Sequence, residues 1–96
     1  MEERSMALII KPTGEQYPII PALGQFSIGQ MIELVNCPHI DVLSARWIGK
    51  GIYVVSAESG FQMNKPFNAT ASREARKAIY GDALIAKYEE LGGRCD

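Results

Sequence analysis

The densest group of chemically capable residues is Cys37-Pro38-His39-Ile40-Asp41, which sets a thiol, an imidazole and a carboxylate side by side. A zinc site needs three or four protein ligands, usually in paired spacings such as C-x2-C with a second pair. The chain carries 2 cysteines and 1 histidine, and the other cysteine, Cys95, lies in a glycine-rich terminal stretch. No metal centre is expected. Cys37 reads as a small apolar residue at a helix end, and His39 as the approach to a strand.

Nucleophilic catalysis finds little support. Ser56, Ser59 and Cys37 would all depend on His39 as base, and no G-x-S-x-G elbow occurs. Gly49-Lys50-Gly51 lacks the four intervening residues and the following hydroxyl of a phosphate loop, so it reads as a hairpin turn. Asp82 offers a carboxylate for acid-base work, but its position after Gly81 more simply opens a strand. Asn68 offers an amide to a ligand, although an Asx turn or helix cap uses the same atoms. These readings point away from an enzyme and call for no cofactor.

Two further groups bear on binding. Arg73, Arg76 and Lys77 share a segment, with Lys65 nearby, but Glu74 and Asp82 dilute that positive charge. A solvated helix face is therefore favoured over a nucleic-acid footprint. Trp47, Tyr53, Phe61 and Phe67 read first as core or sheet-face residues. A subset exposed together would instead mark a protein-binding surface, where aromatic side chains act as anchors.

Positioning these residues falls to one small domain. The 96 residues are 47% apolar and carry a formal charge of −1, a balance that argues against disorder and gives no overall pull toward nucleic acid or anionic membrane. With no leader-like segment and no apolar run near the length of a membrane span, the expectation is a reduced, cytoplasmic protein.

Residues 1–6 read as a flexible start and 92–96 as a flexible end, with a single domain over 7–91. Ala7 to Lys11 is a short strand stopped by Pro12, and 16–20 returns beside it, with Pro18 confining it to an edge. Ser27 and Gln30 have the spacing of a capping box, and Ile28, Met31, Ile32 and Val35 follow at helical intervals. The arms 40–48 and 52–57 form the strongest strand pair, joined at Gly49-Lys50-Gly51. Residues 61–67 are ambiguous. A helix is expected over 73–80, with Asn68 or Thr70 as its cap. Residues 82–91 read almost equally as strand or helix.

Four islands occur in order: Leu8 to Glu15, the capped helix up to Val35, Pro66 to Ala71, and Ile79 to Ala86. Together they resemble a family of small proteins of bacteriophages, plasmids and their hosts that has no established activity. That family has an opening strand with a Pro-Gly turn, an Asn-x-x-Ala element, matched by Asn68 and Ala71, and an I-x-G-D strand, matched at Gly81-Asp82. The resemblance implies a compact α/β domain and a strand at 82–88. It transfers no catalytic residue.

The resulting expectation is an α+β fold: a mostly antiparallel sheet of four or five strands, the 40–57 hairpin at its centre, and two helices on one face. The favoured function is a non-catalytic binding or adaptor protein, with the phage context implying a host or defence protein as partner. A homodimer through the hairpin or through 16–20 belongs to the same reading. The alternatives are a small-ligand or nucleotide-sequestering protein, with its pocket near Asn68 and Asp82, and a weak nucleic-acid binder using Arg73, Arg76 and Lys77. Trp47 and Tyr53 are the remaining partner candidates.

Overall fold

The computed structural model describes residues 7–21 and 24–91. The expected flexible ends at 1–6 and 92–96, and Cys95 with them, lie outside the described residues. The described chain runs β1 (Leu8–Ile10), β2 (Gln16–Pro18), α1 (Ile28–Val35), β3 (Ile40–Ser44), β4 (Ile52–Ala57), α2 (Ala69–Ala75), β5 (Ala83–Lys87) and a 3-10 turn (Tyr88–Glu90). The strands form one sheet in the order β2-β1-β5-β4-β3, every neighbouring pair antiparallel. The expected α+β class, five strands and two helices are all present.

The centre of the sheet differs from expectation. β5 is its middle strand, between β1 and β4, and β3 of the hairpin lies at an edge. Four of the five β5 residues, Ala83 to Ala86, are buried, and this settles the ambiguous segment in favour of strand. A strand sends alternate side chains to opposite faces. Leu84 and Ala86 accordingly enter one apolar cluster, while Ala83 and Ile85 enter another.

Those two clusters also separate the helices. Met31 and Val35 of α1 pack with Ile9, Val55, Leu84 and Phe26. Ala71 and Ala75 of α2 pack with Ile10, Val54, Ala83 and Ile85. The helices therefore cover opposite faces, a correction to the expected placement on one face. The physical reason is the apolar run in β4, whose successive residues Val54 and Val55 are both fully buried and so need a cover on each side.

α1 forms as its sequence predicts. Ser27 Oγ accepts from the Gln30 amide at 3.1 Å, and Gln30 Oε1 accepts from the Ser27 amide at 3.1 Å. Asn36, at a φ of 57°, ends the helix. Cys37 then drops into the core with its Sγ 3.5 Å from Met63 Sδ. α2 begins and ends earlier than the expected 73–80. Asn68 caps it, and Arg76 at a φ of 57° turns the chain out of the helix.

The hairpin connection is longer than a three-residue turn. β3 stops at Ser44, and residues 45–51 make the crossing. The Ala45 amide still donates to Ile52 O at 2.8 Å, but the Ile48 amide folds back on Ala45 O at 2.9 Å. Trp47, within this crossing, places its ring against the end of α2.

Candidate functional site

Asn68 is wholly buried, and its side chain is committed inside the protein. Oδ1 accepts from the Ala71 amide at 3.0 Å, which caps α2. Nδ2 donates to Ile10 O at 2.9 Å and to Gly81 O at 2.8 Å, tying β1 to the entry of β5. The amide offered to a ligand in the sequence reading is thus the fastener of three segments. Neither concavity described below includes it.

Asp82 lies beside this junction. Its Oδ2 accepts from Lys11 Nζ at 2.9 Å, and both side chains are partly exposed. The hydrogen bond to Asp82, followed by the attraction of its charge, raises the Lys11 ammonium above its ordinary value of 10.5. The pair opens onto a concavity of about 300 Å³ bounded also by Pro12, Asn36, Lys65 and Pro66. Asp82 therefore faces a pocket, but its charge is already matched by Lys11. Ile10-Lys11, Asn68 and Gly81-Asp82 thus form one hydrogen-bonded junction.

Trp47, Arg76 and Lys77 come together at another place. Trp47 is 41% exposed, yet its Nε1 donates to Glu74 O at 2.6 Å. The Arg76 guanidinium stands 4.8 Å from the centre of the Trp47 ring, a cation–π distance. Lys77 Nζ donates to Asp41 Oδ2 at 2.7 Å. Two of the three cations weighed for a nucleic-acid face, Arg76 and Lys77, thus fasten the C-terminal end of α2 to the hairpin. Arg73 is exposed on α2.

Tyr53 is half-buried on the α1 face, its ring centre 6.0 Å from that of Tyr88. With Ser44, Arg46, Lys50 and Gly51 it bounds a concavity of about 490 Å³. Arg46 and Lys50 have no ion-pair partner among the described residues. This basic hollow at the turn end of the hairpin was not predicted. Arg46 and Lys50 both lie within the seven-residue crossing 45–51, whose course brings them to one concavity.

The most exposed large aromatic side chains flank Tyr80. Phe61 is 68% exposed and Phe67 is 51% exposed. Their ring centres lie 5.3 Å and 5.4 Å from that of Tyr80, both in edge-on contact. The backbone beneath them is tightly fixed. Phe67 and Tyr80 form an isolated β-bridge, the Lys65 amide donates to Gly60 O at 3.0 Å, and the Gly81 amide donates to Pro66 O at 2.7 Å. Gly60 is required for this closure, because a Cβ there would sit 2.7 Å from Tyr80 O. The sequence reading named Phe61 and Phe67 among its aromatics but missed Tyr80, whose position between them depends on a contact across 13 and 19 residues of chain.

Among the described residues, no group of three or more histidine, cysteine or acidic residues is arranged to hold a metal ion. Among those same residues, no helix is long and apolar enough to cross a membrane. Comparison of the chain with protein-family models, curated proteins and solved structures finds no match.

Proposed function

We propose that this protein is a non-catalytic binding domain that engages a protein partner through Phe61, Phe67 and Tyr80. The observation that carries the reading is the pairing of high exposure with a fixed backbone at these rings. Exposing two phenylalanines leaves apolar area in water that would stabilise the fold if buried, at about 25 cal/mol per Å². Contiguous exposed apolar surface of this kind is what interaction sites present. A loop held by backbone hydrogen bonds also loses little freedom on binding, which favours affinity. The resemblance to small phage and plasmid proteins motivates a search for that partner among host or defence proteins.

A photo-crosslinking amino acid placed at position 61 or 67, in cells that make the protein naturally, tests this. Adducts with one defined protein are expected from both positions, and none from position 33 on the exposed side of α1. Equal labelling from all three positions, or none from any, would refute the assignment.

A second reading is favoured by Arg46 and Lys50, two cations without ion-pair partners beside one concavity. It is binding of a small anionic ligand such as a nucleotide, with Tyr53 as a stacking surface. Thermal stabilisation by nucleotides that is lost in Arg46→Ala would support it, and a flat response across a nucleotide library would count against it.

A further inference from the structure

The two edges of the sheet are built differently. In an antiparallel ladder, alternate residues turn both backbone polar groups toward the neighbouring strand, and the others turn them away. Glu58 donates to His39 O at 2.9 Å and Ala45 donates to Ile52 O at 2.8 Å, which fixes the phase of β3 on β4. Asp41 and Leu43 therefore face β4, while Ile40, Val42 and Ser44 direct their N–H and C=O groups outward. Among the described residues none of those outward groups has a hydrogen-bond partner.

At the opposite edge, the same bookkeeping leaves Gln16 and Pro18 facing outward on β2, and proline has no N–H to offer. That edge is short and blunted, as edges that avoid pairing usually are. β3 lacks such protection. It has five regular residues, no proline or lysine within it, and an exposed valine, Val42, at its midpoint.

We infer that β3 pairs with β3 of a second copy of this chain, antiparallel about a two-fold axis at Val42, joining the two sheets. This interface is separate from the aromatic surface and does not depend on it.

The register follows from the outward groups. Centring on Val42 sets Ile40 of one copy opposite Ser44 of the other and Val42 opposite itself, satisfying every outward group in about six hydrogen bonds. Centring on Asp41 would place two carboxylates face to face and satisfy only about four, because Pro38 cannot extend the ladder. Centring on Leu43 also gives about four. In the favoured register each Asp41 lies across from the other copy's Leu43. Its charge is already matched by Lys77 of its own chain at 2.7 Å. A second copy is favoured over a foreign peptide because both β3 strands are already ordered by β4, so pairing them costs little conformational entropy. Val42, which shares its face with Val55 of the α1-side core, then covers its own symmetry mate.

Light scattering over a micromolar-to-millimolar series tests the pairing. The expected result is a rise from one-chain to two-chain mass. Val42→Lys should raise the dimer dissociation constant about tenfold or more, since like charges then oppose each other at the axis. Val42→Pro should abolish pairing without unfolding, because the N–H it removes faces away from β4.

Amide exchange in the unaltered protein reads the register without any substitution. Ile40, Val42 and Ser44 should gain protection as concentration rises, while Asp41 and Leu43 stay protected throughout. A one-chain mass across the series, a two-chain mass unchanged in both folded variants, or exchange at 40, 42 and 44 that ignores concentration would overturn the inference.

Discussion

Asn68 and Ile10, 58 residues apart in the chain, meet where the buried amide of one donates to the backbone carbonyl of the other at 2.9 Å. Through this bond and its twin to Gly81, the cap of α2 also fixes where β1 ends and where β5 enters the sheet. One side chain therefore couples a helix, a strand and a turn.

Asn68→Ala should destabilise the protein by about 2–4 kcal/mol, combining the lost cap with the loss of two donations to buried backbone carbonyls. Asn68→Ser keeps a cap acceptor but loses both donations, so its cost should fall between alanine and the native residue. Urea denaturation of the three proteins measures this order. A loss below about 0.5 kcal/mol for alanine would mean that water replaces the amide.

Trp47 and Arg76 should be coupled. A double-mutant cycle with Trp47→Ala and Arg76→Gln is expected to return about 0.5–1 kcal/mol of interaction energy. Trp47 is the only tryptophan, so its emission reports the same contact directly. Arg76→Gln should shift that emission while the far-ultraviolet circular dichroism stays constant.

These two contacts also mark where sequence reading succeeds and where it stops. α1 was legible because its signals are local: Ser27 and Gln30 cap it, and Met31 and Val35 fall on one face. The strand character of 52–57 was legible from its run of β-branched residues. Residues 83–87 were balanced locally, since Ala, Leu and Lys suit a helix as well. Only the need to fill both faces between β1 and β4 decides that segment. The opposite placement of the helices follows from that two-sided burial. Trp47 was recognised as a question about burial, but the answer lies in the Glu74 carbonyl and the Arg76 guanidinium, whose proximity depends on α2 ending at Ala75. Asn68 as a cap was legible, whereas its second bond to Ile10 was not, because nothing in the local chain places β1 beside it.

The Lys11–Asp82 pair gives a pH dependence whose sign is fixed by the raised ammonium. Its contribution is complete below the ordinary lysine value of 10.5 and is lost as pH rises through the higher folded value. Partial exposure of both partners limits the effect to about 0.2–1 kcal/mol. Tyr17 is also raised, by its hydrogen bond to Glu15, so the proper comparison is with Lys11→Met. The stability difference between the two proteins should shrink as pH rises above 10.5 and Lys11 loses its proton.

Gly60→Ala should cost about 1–3 kcal/mol, because its Cβ would meet the backbone oxygen of Tyr80 at 2.7 Å and that oxygen cannot rotate away. Phe61→Ser and Phe67→Ser, by contrast, should each cost about 1 kcal/mol or less, since each ring is at least half exposed and loses mainly its edge contact with Tyr80. Thermal denaturation of the three variants separates the support of the aromatic surface from the surface itself.

The most direct measurement is a calorimetric titration of the partner captured by crosslinking at positions 61 and 67. The titrant is the unaltered protein or the folded double variant Phe61→Ser, Phe67→Ser. If these rings are the binding surface, the double variant should bind about thirtyfold or more weakly, as expected for anchor residues worth 2 kcal/mol or above. Equal dissociation constants for the two proteins would contradict the account.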